Sequence, residues 1–301
     1  IIKKHQYEIV NSNNRNTSFL ARTALMTMPF SGVKNVYTAR GMYFHDSQRL
    51  IPGVLTYWVE VFLLFFTDMV MSQSQEDVDR MSKNPLVNSS KLNVIHNGIN
   101  TERFSVESAN PPNIKLSGFV VCTIGRIAKE KGLMDLLEAF SIFVRQESNS
   151  TLLLIGGVLH KEQDQVLVDF MELADKLNIK DKIYITGLVD NVEDYLSLAD
   201  VYIHPSYREG VPRSVLEAMS LEKIVIATKI RGAKEIIKNG KNGILYTKGD
   251  INELGKMIEK VYSMTNDAKQ IIEKMARERV LYQYTEVSYV DRQVILINSL
   301  I

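Results

Sequence analysis

The stretch DVYIHPSYREGVPRSVLEAMS, residues 200–220, places a short apolar run directly before a loop and an amphipathic helix. The run VYI is typical of a strand that is covered on both faces of a sheet. Pro212 suits the first helical position, where the missing N–H of proline removes no hydrogen bond. The stretch also carries two carboxylates, Glu209 before Pro212 and Glu217 after it, and an ordinary helix start needs neither of them. The stretch therefore predicts a strand–loop–helix unit that carries polar side chains at the carboxyl end of its strand.

The same alternation of strand and helix continues on both sides of this unit, from Leu116 onward. Apolar runs alternate with segments of helical periodicity. In chain order the segments are GFVVCTIG, KGLMDLLEAFSIFV, TLLLIGG, QVLVDFMELADKLNI, KIYITG, NVEDYLSLA, then KIVIAT, GAKEIIKNG and GILY. Almost wholly apolar strands separated by helices predict a doubly wound α/β domain with a parallel sheet. Ligands of such sheets bind beyond the carboxyl ends of the strands.

The first hundred residues follow this pattern less completely. YEIVNSN, VKNVYTARG and DMVMSQS predict strands, with the helices SFLARTALMTMP and LTYWVEVFLLFFT between them. The polar segment ESANPPNIKLSG predicts a linker. We therefore expect an N-terminal domain over residues 1–106, a C-terminal domain over 107–281 and a terminal helix over 282–301. Because the chain opens on what looks like a helix end, we expect the first domain to be incomplete.

The amino-acid composition limits the classes of protein to which the chain can belong. The 301 residues suit two domains, and 45% hydrophobic with 24% charged residues is typical of soluble globular proteins. A net charge of +1, from 36 basic and 35 acidic residues, argues against nucleic-acid binding. The single cysteine, Cys122, lies in an apolar run and is expected to be buried in a protein of the reducing cytosol. The five histidines are scattered and none has a partner at metal-ligand spacing, so we expect no metal site.

Glycines and cations follow several strands of the second domain. Arginine or lysine in a loop is ordinarily a solvated surface charge, which remains the simpler interpretation for any one of them. Convergence at one end of a sheet, beside helix N-termini, instead favours an anion site. The N–H groups of Ser214 and Val215 are expected to be free donors in the first turn of their helix. The converging residues are Gly125, Arg126, Lys129, Lys131, Gly132, Gly156, Gly157, Gly187, Asp190, Asn191, Arg208, Glu209, Gly210 and Arg213.

At this point the chain resembles a known family. EGVPRSVLEAMS resembles the E-x7-E motif of the retaining glycosyltransferases of family 4. Three further segments resemble that family in the same order, and together they cover roughly residues 91–246, with high joint specificity. These segments are VIHNGINTERF, TIGRIAKEKGLMDLLEAF and ATKIRGAKEIIKNGKNGIL. The resemblance implies a GT-B fold: two Rossmann-like domains that face each other across a cleft, here with the first incomplete.

The resemblance also implies roles for individual residues. Arg126 and Lys131 would hold the donor diphosphate, Glu217 the ribose and Glu209 the transferred sugar. Asp190, Asn191 and Val192 would lie near the base, while Gly125, Gly210, Ser214 and Val215 complete the predicted nucleotide site. The fold generally works without a bound metal, and the nucleotide sugar is a substrate, so the resemblance implies no cofactor.

The first domain resembles a bacterial branch of the family more loosely. YTARGMYFH resembles the motif YTAHG-x-x-FH of transferases that build capsules, exopolysaccharides and lipid-linked oligosaccharides. Arg40 replaces the commoner first histidine, while His45 retains the second. His45 is therefore the candidate catalytic group of this domain, although a lone histidine beside aromatic residues is as often structural.

We therefore predict a retaining transferase that moves a sugar from a UDP-sugar to a glycan or polyprenyl-diphosphate-linked acceptor. Two alternatives stay open: a non-catalytic nucleotide-sugar-binding subunit and a nucleotide-sugar epimerase. The expected location is the cytoplasm or the inner face of the cell membrane. The segment YWVEVFLLFF, residues 57–66, either packs among neighbouring helices or contacts the membrane. An incomplete first sheet would also expose an edge that favours self-association.

Overall fold

The structure, a computed structural model, describes residues 7–28, 31–42, 50–159 and 164–301. The chain forms two compact units. Residues Ile1–Gly98 and Val287–Ile301 form the first unit, and residues Ile99–Glu286 form the second. The polar segment 107–118 lies inside the second unit, because Ala109 and Leu116 pack against a hydrophobic cluster of that unit.

Strands and helices alternate through both units. The strands are β1 (Ile9–Asn13), β2 (Lys34–Ala39), β3 (Met69–Ser72), β4 (Leu92–Val94), β5 (Phe119–Ile124), β6 (Ser150–Ile155), β7 (Ile183–Ile185), β8 (Val201–His204), β9 (Ile224–Thr228) and β10 (Ile244–Tyr246). The helices are α1 (Arg15–Met26), α2 (Leu50–Leu64), α3 (Gln75–Ser82), α4 (Leu133–Val144), α5 (Asp164–Lys176), α6 (Val192–Ser197), α7 (Arg213–Ser220), α8 (Arg231–Ile236), α9 (Ile251–Tyr262), α10 (Asn266–Gln283) and α11 (Glu286–Asn298).

The first unit contains a four-stranded parallel sheet in the order β1-β2-β3-β4. Its core includes side chains from β2 and β3 together with Ile95. Although α11 is the last helix of the chain, its Tyr289, Leu296 and Ile297 pack against this core. The first unit is therefore built from two segments that are far apart in the sequence.

The second unit contains a six-stranded parallel sheet in the order β10-β9-β8-β5-β6-β7. Side chains that alternate along the strands belong to two hydrophobic clusters, one on each face of the sheet. Cys122 lies in β5 and is fully buried, and burial raises the pKa of its thiol. The predicted doubly wound α/β architecture is confirmed, with two parallel-sheet Rossmann-like domains in one chain.

Helix boundaries differ from the sequence interpretation at two places. Pro212 is the N-cap of α7, with an extended φ/ψ of −73° and 118°, so that Arg213 takes the first helical position. The section after Ile251 forms three helices, because Thr265 caps the start of α10 with its side chain and thus separates it from α9. The terminal helix expected over 282–301 is α11, which begins at Glu286, with two residues between it and the end of α10 at Gln283.

The apolar helix α2 is buried on one face only. Val61, Leu63 and Leu64 are buried, whereas Trp58 and Phe62 on the other face are about half exposed. Phe65 and Phe66, which follow the helix, are also exposed. Among the described residues, none of the helices combines the length and apolar character needed to cross a bilayer.

We expect Glu60→Ala to destabilise the first unit. The Glu60 carboxylate accepts a hydrogen bond of 2.8 Å from the fully buried guanidinium of Arg22. Removing one partner of a buried ion pair leaves a buried charge without compensation, which costs about 3–5 kcal/mol. Urea unfolding monitored by circular dichroism measures this loss.

The matched control is Glu8→Ala, because Glu8 is exposed and its loss should change stability by less than about 0.5 kcal/mol. The double variant Arg22→Met, Glu60→Met should recover most of the loss, since it removes both charges and keeps the volume. A Glu60→Ala variant as stable as the Glu8→Ala control would contradict this account.

Candidate functional site

A cavity of about 400 Å³ opens at the carboxyl end of the second-unit sheet. The loops after β5 and β8 and the first turns of α7 form its walls. It brings together seven of the predicted site residues: Gly125, Arg126, Lys131, Glu209, Arg213, Ser214 and Glu217. The other lining residues are Ile124, Val211 and Pro212. Three cations, two carboxylates and a helix N-terminus therefore share one small space.

Lys131 and Glu209 form an ion pair across this cavity. Their side chains are 19% and 26% exposed, so the pair is partly shielded from water. A lysine ammonium has three N–H donors, and the carboxylate occupies one of them. The remaining donors leave Lys131 able to bind an anion while it holds Glu209 in place.

The loop that carries Glu209 is fixed to the loop that carries Lys131. The backbone N–H of Tyr207 donates to the carbonyl of Glu130 at 2.9 Å. The Tyr207 hydroxyl donates to Oδ1 of Asp135, on α4, at 2.6 Å. These contacts make the position of Glu209 depend on the fold around β5 and α4, not on its own loop alone.

Gly132 allows the two loops to approach. Its φ of +65° lies in the left-handed region, and a Cβ atom there would lie 2.1 Å from the carbonyl oxygen of Pro205. No side chain larger than hydrogen fits at that distance. The glycine therefore sets the spacing between the end of β8 and the helix start at α4.

The start of α7 supplies backbone donors. Pro212 precedes Arg213, and among the described residues no side chain caps this end of the helix. The N–H groups of Ser214 and Val215 belong to the first turn, where the helix itself provides no acceptors. They carry the positive end of the helix dipole, which favours an anion at this position.

The position of Gly210, next to this helix start, depends on a glycine in a neighbouring element. A Cβ atom on Gly232, in α8, would lie only 1.4 Å from the carbonyl oxygen of Gly210. Sequence reasoning did not single out Gly232. The sequence did contain a signal for this residue, because RGAKE lies within one of the segments that resemble the family.

Glu217 lies in the second turn of α7 with its side chain 15% exposed. Burial raises the pKa of this carboxyl, and the positive charges of Arg213 and Arg103 oppose the rise. The nearest of these contacts joins Arg213 Nε and Glu217 Oε1 at 3.9 Å. The site thus holds a partly desolvated carboxylate that benefits from two nearby cations.

The loop between β7 and α6 does not line the cavity. Asn191 is the N-cap position of α6, and its amide donates to Oδ2 of Asp194 at 2.8 Å. The carbonyl of Asp190 accepts a hydrogen bond from Arg103, and Val192 packs against the second-unit core. Asp190, Asn191 and Val192 therefore lie in a separately anchored loop.

Sequence reasoning missed a buried histidine at the carboxyl end of β8. Burial, together with the nearby charge of Lys131, lowers the pKa of His204 to about 3. His204 is therefore neutral at physiological pH, and the charge of this region comes from the arginines, Lys131 and the two carboxylates. The lone histidine within the strand gave no signal that distinguishes it from any core residue.

The first-domain candidate His45 lies outside the described residues. Arg40, which replaces the commoner histidine, is exposed at the end of β2. In the described ranges, which omit residues 43–49 and 160–163 among others, His, Cys, Asp and Glu form no cluster of three that could hold a metal.

Comparisons with known families give two matches along the chain. A family profile described as "Glycosyl transferases group 1" matches residues 106–278, more than half of the chain. A second profile, "Glycosyltransferase Family 4", matches residues 1–103. The first match contains every residue that lines the cavity.

The curated proteins that are similar over most of the chain include two glycosyltransferases. The UDP-Gal:alpha-D-GlcNAc-diphosphoundecaprenol alpha-1,3-galactosyltransferase of Escherichia coli is 25% identical over 97% of this chain and 75% of its own length. The capsular polysaccharide biosynthesis glycosyltransferase CapM of Staphylococcus aureus is 28% identical over 81% of this chain and 65% of its own length.

Two of the solved structures that share the fold illustrate the likeness. HepE of Anabaena, solved in complex with UDP, has a TM-score of 0.83 at 20% identity and covers 99% of this chain and 80% of its own. Sucrose-phosphate synthase of Thermosynechococcus elongatus has a TM-score of 0.82 at 20% identity, covering 99% of this chain and 75% of its own. At such identities the likeness shows the fold alone, and the fold is GT-B.

We expect Gly132→Ala to destabilise the second unit strongly, by about 3 kcal/mol or more, because the added methyl group meets the Pro205 carbonyl. Gly249→Ala is the matched control: its φ is +76°, but a Cβ there meets nothing within 4 Å. That variant should lose only about 1–2 kcal/mol from the left-handed backbone. Equal losses for the two variants in urea unfolding would contradict the steric account.

Proposed function

The chain belongs to the glycosyl transferase group 1 family, and from that premise we propose that it moves a sugar from a UDP-sugar to a saccharide acceptor with retention of anomeric configuration. Family membership identifies it as a glycosyltransferase enzyme of the GT-B type, homologous to transferases of polysaccharide biosynthesis. The donor, the stereochemistry and a role at the cell surface are our proposals.

The observation that carries the proposal is the charge arrangement of the cavity. Lys131, Arg126 and the first turn of α7 all face one space at the carboxyl end of the sheet. When the bond between sugar and diphosphate breaks, negative charge grows on the departing diphosphate. Fixed cations and backbone N–H groups that are already in place stabilise that charge without reorganisation.

The two carboxylates serve different parts of the donor in this proposal. Glu217, the less exposed of the two, accepts hydrogen bonds from the ribose hydroxyls. Glu209 is held by Lys131 at the strand end and orients hydroxyls of the transferred sugar. The ion pair links the group that orients the sugar to a cation that holds the leaving group.

Related proteins support the proposed classes of sugar donor and acceptor. HepE has been solved with UDP and with UDP-glucose, and the E. coli relative is named for UDP-Gal and for a diphosphoundecaprenol-linked acceptor. Its name also specifies an alpha-1,3 linkage. We therefore propose UDP-hexoses as donors and a glycan or polyprenyl-diphosphate-linked saccharide as acceptor.

We predict that Glu217→Gln and Glu209→Gln fail differently. Glu217→Gln should weaken UDP binding about tenfold, because a neutral amide replaces a charge-assisted acceptor of the ribose hydroxyls. Glu209→Gln should leave UDP affinity within about threefold and lower turnover of the UDP-sugar at least about tenfold, since its contact is with the sugar. Calorimetry with UDP and a UDP-release assay measure the two effects.

The acceptor in that assay is a polyprenyl-diphosphate-linked N-acetylglucosamine, and UDP-glucose, UDP-galactose and UDP-N-acetylglucosamine are tested in turn. Glu172→Gln, which changes an exposed carboxylate on α5, serves as the control. Equal losses of UDP affinity in both site variants would contradict the division of roles. Absence of turnover with every donor would contradict the proposed function, and a β-linked product by proton NMR would contradict retention.

We also propose that the exposed face of α2 rests on an anionic membrane, where a lipid-linked acceptor is found. Trp58, Phe62, Phe65 and Phe66 expose 41–60% of their surfaces. The last two line a pocket together with Lys34 and Lys91. Aromatic side chains that penetrate the headgroup region and flanking lysines that attract anionic lipid are typical of interfacial helices.

We expect Phe65→Ser, Phe66→Ser to reduce flotation with vesicles of phosphatidylglycerol and phosphatidylethanolamine at least about threefold, because two buried aromatic contacts with lipid are lost. Val168→Ser, Ile271→Ser removes comparably exposed apolar surface from the second unit and should float like the parent. Trp58→Ser, Phe62→Ser tests the same face if the first variant is unstable. Undiminished flotation of a folded variant would reject this face as the contact.

A further inference from the structure

The pocket beside Phe65 and Phe66 has a volume of about 320 Å³ and lies at the amino ends of β2, β3 and β4. The end of α1, the segments 31–35 and 65–68 and Lys91 line it, and we call it the amino-end pocket. Because the strands are parallel, it lies at the edge of the first sheet opposite their carboxyl ends. Ligand pockets commonly measure about 300–1,000 Å³, so this one fits the polar headgroup of a lipid rather than a whole lipid.

Asn35, at the start of β2, brings to this pocket a buried oxygen that has no hydrogen-bond partner. Its side-chain nitrogen donates to the carbonyl of Phe66 at 2.7 Å, and that carbonyl, an acceptor only, fixes which end of the amide is the nitrogen. Asn35 is 2% exposed, and among the described residues its Oδ1 meets no donor. Buried polar atoms without a partner are rare. A ligand with a hydroxyl or amine donor would supply the missing hydrogen bond.

The charged side chains of the amino-end pocket favour an anion. Lys34 and Lys91 are both half-buried. The Lys91 ammonium donates to the carbonyl of Leu64 at 3.2 Å, which uses one of its three donors. The exposed Asp68 accepts a hydrogen bond of 2.7 Å from the backbone N–H of Asn35 with its Oδ2. Two cations against one carboxylate, itself held by the backbone, therefore leave the pocket positive.

Apolar side chains lead from the pocket to the surface of the protein. Leu25 and Met28 line it, together with Phe65 and Phe66, which are 60% and 41% exposed. The ring of Phe66 meets the ring of Phe62 edge to face, with centroids 5.5 Å apart, so the pocket is continuous with the exposed face of α2. A free phosphate would leave this apolar surface unused. A molecule with a polar head and an apolar tail fits both parts.

We propose that the amino-end pocket binds the headgroup of one phosphatidylglycerol molecule. Lys34 and Lys91 bind its phosphodiester, and a hydroxyl of its terminal glycerol donates to Oδ1 of Asn35. The acyl chains lie along Phe65 and Phe66. Phosphatidylserine and phosphatidylethanolamine end in an ammonium group instead, which would place a third cation beside the two lysines. This inference rests on the membrane contact proposed above and specifies the lipid partner of that contact.

The test compares flotation of the full chain with phosphatidylcholine vesicles that contain equal fractions of either phosphatidylglycerol or phosphatidylserine. Both lipids carry the same net charge, so attraction by overall charge is equal. We expect the wild type to bind the phosphatidylglycerol vesicles at least about threefold more tightly. Lys34→Gln and, separately, Lys91→Gln should remove this preference. Lys83→Gln, which removes an exposed lysine outside the pocket, should keep it.

A soluble competitor distinguishes a lipid headgroup from a bare anion. Dihexanoylphosphatidylglycerol, below its micellar concentration, should reduce flotation of the wild type with phosphatidylglycerol vesicles at least about twofold, whereas inorganic phosphate at equal ionic strength should not. Absence of this competition, equal competition by phosphate, or equal flotation with the two kinds of vesicle overturns the headgroup site and leaves the membrane contact standing.

The lysine variants and the transfer assay separate the remaining outcomes. A preference that Lys83→Gln loses as fully as Lys34→Gln also overturns the headgroup site, because the effect would then come from overall charge. A wild-type chain that floats with neither kind of vesicle contradicts the membrane contact itself, and with it this site. Sugar transfer is measured separately by UDP release, so none of these outcomes decides the proposed reaction.

Discussion

The ion pair between Lys131 and Glu209 joins the loops that follow β5 and β8, two adjacent strands of the second-unit sheet. One loop leads into α4 and the other into α7, so the pair fixes the starts of two helices with respect to each other. The hydrogen bonds of Tyr207 to Glu130 and Asp135 support the same junction. The shape of the cavity depends on this junction, because its walls are the two loops and the helix start that follows them.

Much of the second-unit fold follows from the sequence because its strands are buried on both faces. The apolar runs at β5, β6, β8 and β9 are difficult to interpret as anything but buried strands. In a parallel sheet the carboxyl ends of all such strands lie at the same edge. This explains why Gly125, Lys131, Glu209 and Glu217 could be grouped without knowledge of any distance. The resemblance to a family added roles that spacing alone does not contain.

Other features depend on contacts between residues that are distant in the sequence, and local patterns do not reveal them. The attachment of Arg103 to Glu193 joins positions ninety residues apart. The role of Gly232 depends on the close approach of the Gly210 carbonyl, and the neutrality of His204 depends on its burial. Proline is favoured near the start of a helix, but this preference did not show whether Pro212 is the N-cap, as in the structure, or the first helical residue, as predicted.

The discontinuous first unit has a consequence for synthesis on the ribosome. Residues Ile99–Glu286 form a continuous unit that can fold as soon as it has emerged, since domains generally fold as units and in order of synthesis. Val36, Met69 and Met71 of the first unit instead become covered only when Tyr289, Leu296 and Ile297 have been made, after the whole second unit. During that interval one apolar face of the first sheet is without its final cover. The nascent chain is therefore most open to chaperone binding, or to aggregation, after its second unit has already folded.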